Sequence, residues 1–200
     1  MPTGPSSPSW PGGVLPRRGE RRPPAGPAGS SRAVAAHPGF SSAPDVQALV
    51  GLHPVREALR ARRRRLVRLR RLSDARSGDL EEIEAAAREA GVPVESLPRA
   101  RFEALAGSEA RTQGVLLEVG PLPELPLPGL LEGTPGRRCL VALDGVEDPQ
   151  NVGAIVRVAE AAGAGGLVLT RRRAPPLSPA VAGASAGALE HLPVARVPNL

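Results

Sequence analysis

The residues best placed to do chemistry lie over Leu143–Arg157, which runs from the end of an apolar run into a helical pattern. Asp148 and Asn151 are good N-cap residues, and Gly153 would let another backbone approach the first turn. Arg157 follows Gly153 by four residues and so projects from the same face one turn on. A helix N-terminus with such an arginine is a plausible site for a phosphate or a developing oxyanion. The pattern equally describes a cap, a packing glycine and a surface arginine, and physics alone favours that structural interpretation.

A second candidate is a cluster of positive charge in residues 56–76, which hold ten arginines against two acidic residues, Glu57 and Asp74. Within it, Arg62–Arg65 are consecutive. Guanidinium groups suit phosphate contacts because their planar forks match paired oxygens, and such binding weakens steeply with salt. The alternative is a solvated helix end and strand face. Because the chain has no Tyr and two Phe, binding would rest on backbone and shape rather than on stacking of bases.

Other chemistries find little support in the sequence. His53 stands at a predicted helix start, where capping or packing is the commoner role, and His191 shows no catalytic pattern either. No His/Cys cluster has metal-ligand spacing and no nucleophile is paired with a base, so we expect no metal. The glycines over 163–166 follow a helix rather than precede one, unlike a dinucleotide fingerprint. Arg171–Arg173 could contact RNA or cap a loop, and both interpretations stay open.

The N-terminal composition differs from that of the rest of the chain. Residues 1–45 hold ten Pro, seven Gly and seven Ser, and such a segment cannot bury enough apolar surface to offset the entropy of ordering. We therefore predict a disordered tail over residues 1–44. Its content of Arg and Ser is typical of a transit peptide, but ten prolines argue against the amphipathic helix that such peptides form. A start site placed too far upstream is the alternative.

Charge and cysteine content suggest a partner and a compartment. The net charge is +6, and residues 121–200 contribute nothing to it because they hold seven Arg and seven acidic residues. Electrostatic attraction for nucleic acid therefore lies in the first two-thirds. Cys139 has no second thiol to pair with, and no apolar run approaches the ~20 residues needed to cross a bilayer. These features predict a cytoplasmic protein with no membrane contact.

The elements that must position these residues form two blocks. Residues 45–120 alternate short strands with helices and predict a small layered α/β domain, with Gly91 ending the helix that carries Leu80 and Ile83. Residues 121–136 contain five prolines and three glycines without periodicity, which predicts a linker. Residues 137–200 run strand, helix, strand, helix, strand, which is half of an open parallel sheet. Its apolar edge would stay uncovered, so this block looks unfinished. The predicted strands lie at 46–50, 66–72, 92–97, 114–119, 138–143, 166–170 and 192–197, and the helices at 53–59, 80–90, 98–105, 152–162 and 178–189.

Several stretches resemble a known family. Asp148–Arg157 is similar to the first signature motif of the SpoU/TrmH RNA ribose 2′-O-methyltransferases (SPOUT superfamily), whose core is Asn, one residue, Gly, three residues, Arg. Leu177–Val181 and Ala184–Val194 also match these enzymes, in the same order and at similar spacing. Gly51–Leu59 and Gln113–Val115 resemble the RNA-binding extension, similar to ribosomal protein L30e, that precedes the catalytic domain.

The resemblance implies a fold and a reaction. We expect an L30e-like α/β domain over residues 45–120, followed over 137–200 by the N-terminal part of a SPOUT domain, which is Rossmann-like and knotted in the full family. In that family S-adenosylmethionine donates a methyl group to a ribose 2′-hydroxyl, and the arrangement resembles bacterial 23S rRNA guanosine methyltransferases. RNA, and rRNA in particular, is therefore the expected partner.

The resemblance also implies site residues. Arg157 matches the arginine proposed to activate the hydroxyl, and Asn151 the asparagine that helps organise the site. Since a guanidinium rarely gives up its proton, Arg157 could equally bind the neighbouring phosphate and stabilise the alkoxide. An RNA-binding setting favours phosphate contacts for the charged cluster. The predicted RNA-binding residues are Arg60, Arg62, Arg63, Arg64, Arg65, Arg68, Arg70 and Gly153.

One departure from the family limits these expectations. The family binds its methyl donor in a trefoil knot built from a Gly-Ser-Glu-Gly stretch and a Ser-Leu-Asn-Val-Ser stretch, and neither occurs in the sequence. We therefore expect this chain, either a fragment or a truncated form, not to bind S-adenosylmethionine. Family members dimerise partly through the missing segment, so a homodimer is not expected of this chain. A non-catalytic RNA-binding protein with a vestigial methyltransferase domain is the alternative function.

Overall fold

Two β-sheets organise the part of the chain that the computed structural model describes, which is residues 45–106, 111–133 and 139–200. We call residues 45–120 the N-terminal lobe, 121–133 the connecting segment and 139–200 the C-terminal lobe. All described residues belong to one compact unit. The predicted disordered tail over 1–44 and the end of the predicted linker lie outside the described residues.

The N-terminal lobe is built on a four-stranded sheet. Its elements, in chain order, are β1 (Gln47–Val50), α1 (Leu52–Ala61), β2 (Leu66–Leu72), α2 (Gly78–Glu89), β3 (Val94–Leu97), α3 (Arg99–Ala106) and β4 (Val115–Val119). The strand order is β1–β4–β2–β3. The pairs that β4 makes with β1 and β2 are antiparallel, whereas β2 and β3 run parallel. The predicted mixture of short strands and helices in this lobe is confirmed.

Helices cover both faces of this sheet. On one face, Leu117 of β4 packs with Leu49 and Leu69 beneath α1 and α2. On the other face, Leu116 packs with Phe102 of α3. Successive side chains of a strand point to opposite faces, and all five residues of β4 are buried. β4 therefore contributes side chains to the core on each face of the sheet. The result is the layered α/β arrangement that the sequence predicted.

The C-terminal lobe contains a three-stranded parallel sheet. The elements of the connecting segment and this lobe are α4 (Leu127–Glu132), β5 (Leu140–Leu143), α5 (Pro149–Ala161), β6 (Gly166–Thr170), α6 (Pro179–Ala184), a 3₁₀ helix (Ala188–Glu190) and β7 (Val194–Val197). The strand order is β5–β6–β7, and both pairs are parallel. Such a sheet was predicted from the alternation of strands and helices, and this prediction is confirmed.

The connecting segment differs from the expected linker because it packs on the sheet. Leu130 of α4 is fully buried and lies with Val168 and Ala195 on one face of the parallel sheet, and the backbone N–H of Leu125 donates to the Val194 carbonyl at 2.8 Å. The five prolines of residues 121–136 led the sequence analysis to a linker without a helix. Two of them lie at the start of α4, in positions where a missing N–H costs no helical hydrogen bond.

The helix predicted over 178–189 is interrupted. α6 ends at Ala184, and Ala186 (φ 52°) and Gly187 (φ 89°) both adopt left-handed backbone conformations before the 3₁₀ helix begins. A β-carbon on Gly187 would lie 2.7 Å from the β-carbon of Glu57 in α1 and 3.0 Å from the His53 carbonyl oxygen. The chain therefore turns where the N-terminal lobe approaches it, and glycine makes that approach possible.

One apolar core extends through both lobes. A single cluster of buried side chains includes Leu59 of α1 and Leu117 of β4 as well as Val156 of α5 and Leu189 of the 3₁₀ helix. α1 lies against α6 and the 3₁₀ helix. Burial of apolar surface is the main favourable contribution to folding, so the contact between the lobes is part of the fold itself.

Candidate functional site

The loop after β5 leads into α5, which carries the residues of the first matched motif. The carboxylate of Asp148 accepts a hydrogen bond from the Gln150 backbone N–H at 3.1 Å and caps the helix, and Pro149 occupies its first turn. The helix thus begins three residues earlier than predicted. Asn151, which was also a candidate cap, instead lies in the first turn with its side chain exposed.

Gly153 is a packing residue in this structure. A β-carbon added to it would lie 2.3 Å from the β-carbon of Ala184 and 2.9 Å from the backbone nitrogen of Ser185. The residue is buried where α5 crosses α6. Gly153 therefore has no exposed surface with which to contact RNA. Its predicted role in RNA binding would depend on the close crossing of α5 and α6.

Asn151 and Arg157 are both exposed, but they face different directions. Each residue of an α-helix advances by about 100°, so positions six apart point roughly 120° away from each other. Among the described residues, neither side chain has a hydrogen-bond or ion-pair partner. Both are available to a ligand, but α5 alone does not bring them to one point.

The loops after β5 and β6 are joined by an ion pair. The Arg173 guanidinium donates to the Asp144 carboxylate at 2.9 Å. These loops follow the carboxyl ends of two neighbouring parallel strands, the edge of an open α/β sheet where ligands usually bind. Arg171 and Arg172 on the same loop are exposed, which adds positive charge beside the start of α5.

The structure divides the predicted RNA-binding arginines into two groups. Arg60, Arg62 and Arg65 are exposed around the end of α1. Arg60 pairs with Glu57 of its own helix at 3.0 Å, and Arg62 lies 3.5 Å from Glu89. Surface pairs of this kind contribute little and are easily exchanged. These three guanidinium groups are therefore accessible to a phosphate.

Two arginines of β2 lie in ion pairs on the sheet. Arg70 is 4% exposed and donates to Glu118 at 2.7 Å and to Glu95 at 2.8 Å. Arg68 reaches Glu95 at 3.2 Å and is half-buried. The alternation of β2 directs both side chains to one face, where the acidic residues of β3 and β4 meet them. With 4% of its surface exposed and its guanidinium paired with two carboxylates, Arg70 offers almost nothing to RNA in this arrangement.

Arg63 and Arg64 point toward the C-terminal lobe. Arg62 ends α1 with a left-handed conformation (φ 49°), which turns the chain there. Arg63 then donates to the carbonyl of Leu192 at 2.8 Å and to that of Glu190 at 3.3 Å. Arg64 makes hydrogen bonds of 2.9 and 2.8 Å to the Glu190 carboxylate, and neither side chain is exposed. Both are predicted RNA contacts that the fold uses internally.

Burial affects both members of the Arg64–Glu190 pair. Loss of hydration raises the pKa of the Glu190 carboxyl, and the attraction of Arg64 only partly opposes this. Loss of hydration likewise lowers the pKa of the Arg64 guanidinium, against the effect of Glu190. Desolvation is thus the largest influence on each group, which is the expected balance for a fully buried ion pair.

A cleft of about 800 Å³ lies between the two lobes. His53, Arg111 and Gln113 line it from the N-terminal lobe, and Gln150 with Ala180 from the C-terminal lobe. The Gln113 side-chain oxygen accepts the Leu52 N–H at 3.1 Å, which orders the wall next to α1. The sequence indicated a capping or packing role for His53. It could not show that His53 and Gln150 line the same cleft, because they come from different lobes.

Glu190 is the main residue that the sequence did not single out for a role. It stands inside the matched stretch Ala184–Val194, but its partner Arg64 is 126 positions away. An acidic residue within a largely apolar stretch is a weak signal of a buried ion pair, and it does not indicate which residue the partner is. His191 is also used between the lobes, since its Nε2 lies 2.8 Å from a Glu57 carboxylate oxygen.

Over the described residues, no three His, Cys, Asp or Glu side chains converge as metal ligands would. Within the same ranges, no helix has the length and apolar character needed to cross a bilayer.

Comparison with known proteins identifies both lobes. A family model described as RNA 2′-O ribose methyltransferase substrate binding matches residues 48–125, and the SpoU rRNA Methylase family model matches residues 138–200. A putative TrmH family tRNA/rRNA methyltransferase of Bacillus subtilis, YacO, is 34% identical over 155 residues, which are 76% of this chain and 61% of that protein. A putative TrmH family enzyme of Staphylococcus aureus matches with the same identity and coverage.

Solved structures agree with this assignment. An AdoMet-bound rRNA methyltransferase from Sinorhizobium meliloti is similar with a TM-score of 0.59 and 26% identity, over 76% of this chain and 54% of that one. The SpoU methyltransferase AviRb from Streptomyces viridochromogenes has a TM-score of 0.60 over 78% of this chain and 55% of its own, and at 23% identity it supports the fold alone. The chain thus spans 61% of the length of the curated relatives. The two family models, matched in the predicted order, show that the chain belongs to the SpoU/TrmH family.

Proposed function

We propose that this chain supplies the RNA-binding lobe and the RNA-facing part of the catalytic lobe of a ribose 2′-O-methyltransferase. The substrate is a guanosine of 23S rRNA, the methyl donor is S-adenosylmethionine and the compartment is the cytoplasm. The observation that carries the proposal is the direct packing of the substrate-binding lobe on the lobe whose α5 exposes Asn151 and Arg157. RNA held by the first lobe would lie beside the second.

The names of similar proteins support the reaction class. The Bacillus subtilis relative is described as a tRNA/rRNA methyltransferase, and the Sinorhizobium meliloti protein as an rRNA methyltransferase with AdoMet bound. The two descriptions share the transfer of a methyl group to RNA, and the second adds AdoMet as a bound molecule. The choice of the 2′-hydroxyl as acceptor rests on the substrate-binding family model.

Arg157 is the residue to which we assign the principal chemical role. Transfer of a methyl group to a ribose oxygen requires the hydroxyl proton to leave as the new O–C bond forms. An exposed guanidinium can donate hydrogen bonds to the oxygen as negative charge develops there, or can hold the adjacent phosphate. The amide of Asn151, at the start of the same helix, would orient the RNA.

The described residues do not by themselves fit a site for the methyl donor. At the carboxyl edge of the parallel sheet, Asp144 is already paired with Arg173. We therefore assign no residue of this chain to the donor.

A ribose methylation map tests the proposal. rRNA from cells that express the gene is compared with rRNA from cells lacking it, by a method that detects 2′-O-methyl groups at each nucleotide. We expect one guanosine of 23S rRNA to lose its methyl group in the deletion strain. An Arg157→Ala allele should fail to restore it, whereas a Val158→Ala allele, altered at a neighbouring exposed position, should restore it. Identical maps in the presence and absence of the gene would overturn the proposal.

A second candidate function is that of a non-catalytic RNA-binding protein, for which the exposed arginines around the end of α1, Arg60, Arg62 and Arg65, provide a surface accessible to phosphates. The ribose methylation maps distinguish the two functions, and calorimetry of S-adenosylmethionine against the 200-residue chain is a second test of the alternative. We expect no binding of the donor by this chain alone. Clear binding at micromolar donor would show that these residues form a donor site, and the non-catalytic alternative would lose its support.

A further inference from the structure

The contact between the lobes contains a polar group of unusual burial. Arg64 and Glu190 meet through two hydrogen bonds, and neither side chain has any exposure. Arg64 also lies 3.4 Å from the Gly120 carbonyl oxygen. A carboxylate and a guanidinium side by side match in shape, so the pair defines direction as well as distance.

Other contacts at the same interface depend on the same arrangement. Arg63 donates to the backbone carbonyls of Glu190 and Leu192. On the other side of Glu190, His191 reaches Glu57 of α1, and Gly187 lies against Glu57 at a distance that leaves no room for a side chain. A slide of α1 along the 3₁₀ helix would break these contacts together.

The buried ion pair affects the orientation of the two lobes more than it affects the stability of the protein. A fully buried ion pair contributes little net stability, since desolvation offsets its attraction, and an apolar pair of similar volume often does as well. An apolar interface, however, tolerates small shifts, whereas a buried guanidinium left without its carboxylate is costly. The pair therefore penalises every orientation of the lobes except one.

We propose that Arg64 and Glu190 are positioning residues that hold the N-terminal lobe in a single orientation against the C-terminal lobe. The inference rests on the proposed function in one respect, which is its consequence for RNA. RNA bound at the exposed arginines around Arg62 would lie at a constant place relative to α5 if the orientation of the lobes is fixed. A fixed orientation also keeps the cleft that contains His53 and Gln150 at constant width.

Distance measurement between two spin labels tests this directly. The labels are attached to the full chain through Ser96→Cys on β3 and Ala161→Cys on α5, both exposed positions, in a Cys139→Ser background. We expect one narrow distance distribution for this protein. The Arg64→Met/Glu190→Leu variant should remain folded and lose the narrow distribution, because an apolar contact no longer selects one orientation.

A matched control removes an exposed ion pair by the same chemical change. Arg99 and Glu103 lie 3.4 Å apart on α3, with 61% and 53% of their side chains exposed. Arg99→Met/Glu103→Leu should leave the distribution as narrow as before. If the Arg64→Met/Glu190→Leu variant does not fold, Glu190→Gln, which keeps the volume and removes the charge, should broaden the distribution.

Two outcomes would overturn the inference. A broad distribution in the labelled protein with Arg64 and Glu190 intact would show that the lobes are not held in one orientation. A distribution that stays narrow in a folded Arg64→Met/Glu190→Leu or Glu190→Gln variant would show that other contacts hold them. Because no RNA is present, neither result depends on the proposed function, which fails separately if the methylation maps are identical.

Discussion

The Arg64 guanidinium and the Glu190 carboxylate form a doubly hydrogen-bonded pair, at 2.9 and 2.8 Å, across 126 positions of sequence. Removal of one partner leaves an unpaired charge in the interior, so Arg64→Met or Glu190→Leu alone should cost about 3–5 kcal/mol of unfolding free energy. The two substitutions together should bring the stability back to within about 1 kcal/mol of the original. Urea unfolding of the four proteins of this cycle measures both effects. Additive losses in the double variant would contradict the expectation.

Gly153→Ala should destabilise the protein through the crossing of α5 and α6. The added β-carbon would meet Ala184 at 2.3 Å, with backbone atoms of Ala184 and Ser185 close behind it. Overpacking of this kind typically costs about 1–3 kcal/mol, which thermal unfolding would detect. Gly183→Ala is the control, since nothing lies within 4 Å of its added carbon. In a helix that change should stabilise by about 0.5–1 kcal/mol. Equal effects at the two positions would refute the proposed role of the crossing.

Leu130→Ala tests whether the connecting segment belongs to the folded structure. Leu130 is fully buried, and its side chain would lie 2.6 Å from a β-carbon on Gly166. Truncation of such a residue leaves a cavity and should cost about 2–5 kcal/mol. The neighbouring Leu131 is 57% exposed, so Leu131→Ala should change the stability by less than about 0.5 kcal/mol. Two small effects would mean that α4 is not packed as described.

The exposed arginines should bind RNA through its phosphates. Arg60→Gln, Arg62→Gln and Arg65→Gln should each weaken binding of ribosomal RNA, and each should reduce the slope of log affinity against log salt by about 1 if the side chain contacts one phosphate. Filter binding at several salt concentrations provides both quantities. Arg99→Gln on α3 serves as an exposed control that should change neither. An unchanged salt slope in all three variants would exclude this surface as the RNA contact.

The sequence by itself determined the order and type of most elements. Continuous apolar runs predicted parallel strands buried on both faces. Gly166–Thr170 is buried throughout, as predicted, whereas Leu140–Leu143 lies at the edge of the sheet with only Leu143 buried. Gly91 (φ 70°) follows α2, as its position after a helical pattern predicted. Local preferences sufficed there because periodicity and turn chemistry act over a few residues. The matched motifs likewise indicated the family, because they can be recognised from residue types and spacing alone.

Tertiary structure decided what the charged residues do. Arg62–Arg65 are alike in sequence, yet Arg62 and Arg65 face solvent while Arg64 is enclosed by the C-terminal lobe. The run of arginines does not indicate that one of them will pair with Glu190. The two side chains come together only when α1 packs on the 3₁₀ helix. Long-range packing also placed α4 on the parallel sheet and ended α6 before Gly187. Each outcome depends on contacts between residues that are distant in sequence. Such contacts cannot be predicted from local propensity or from residue spacing.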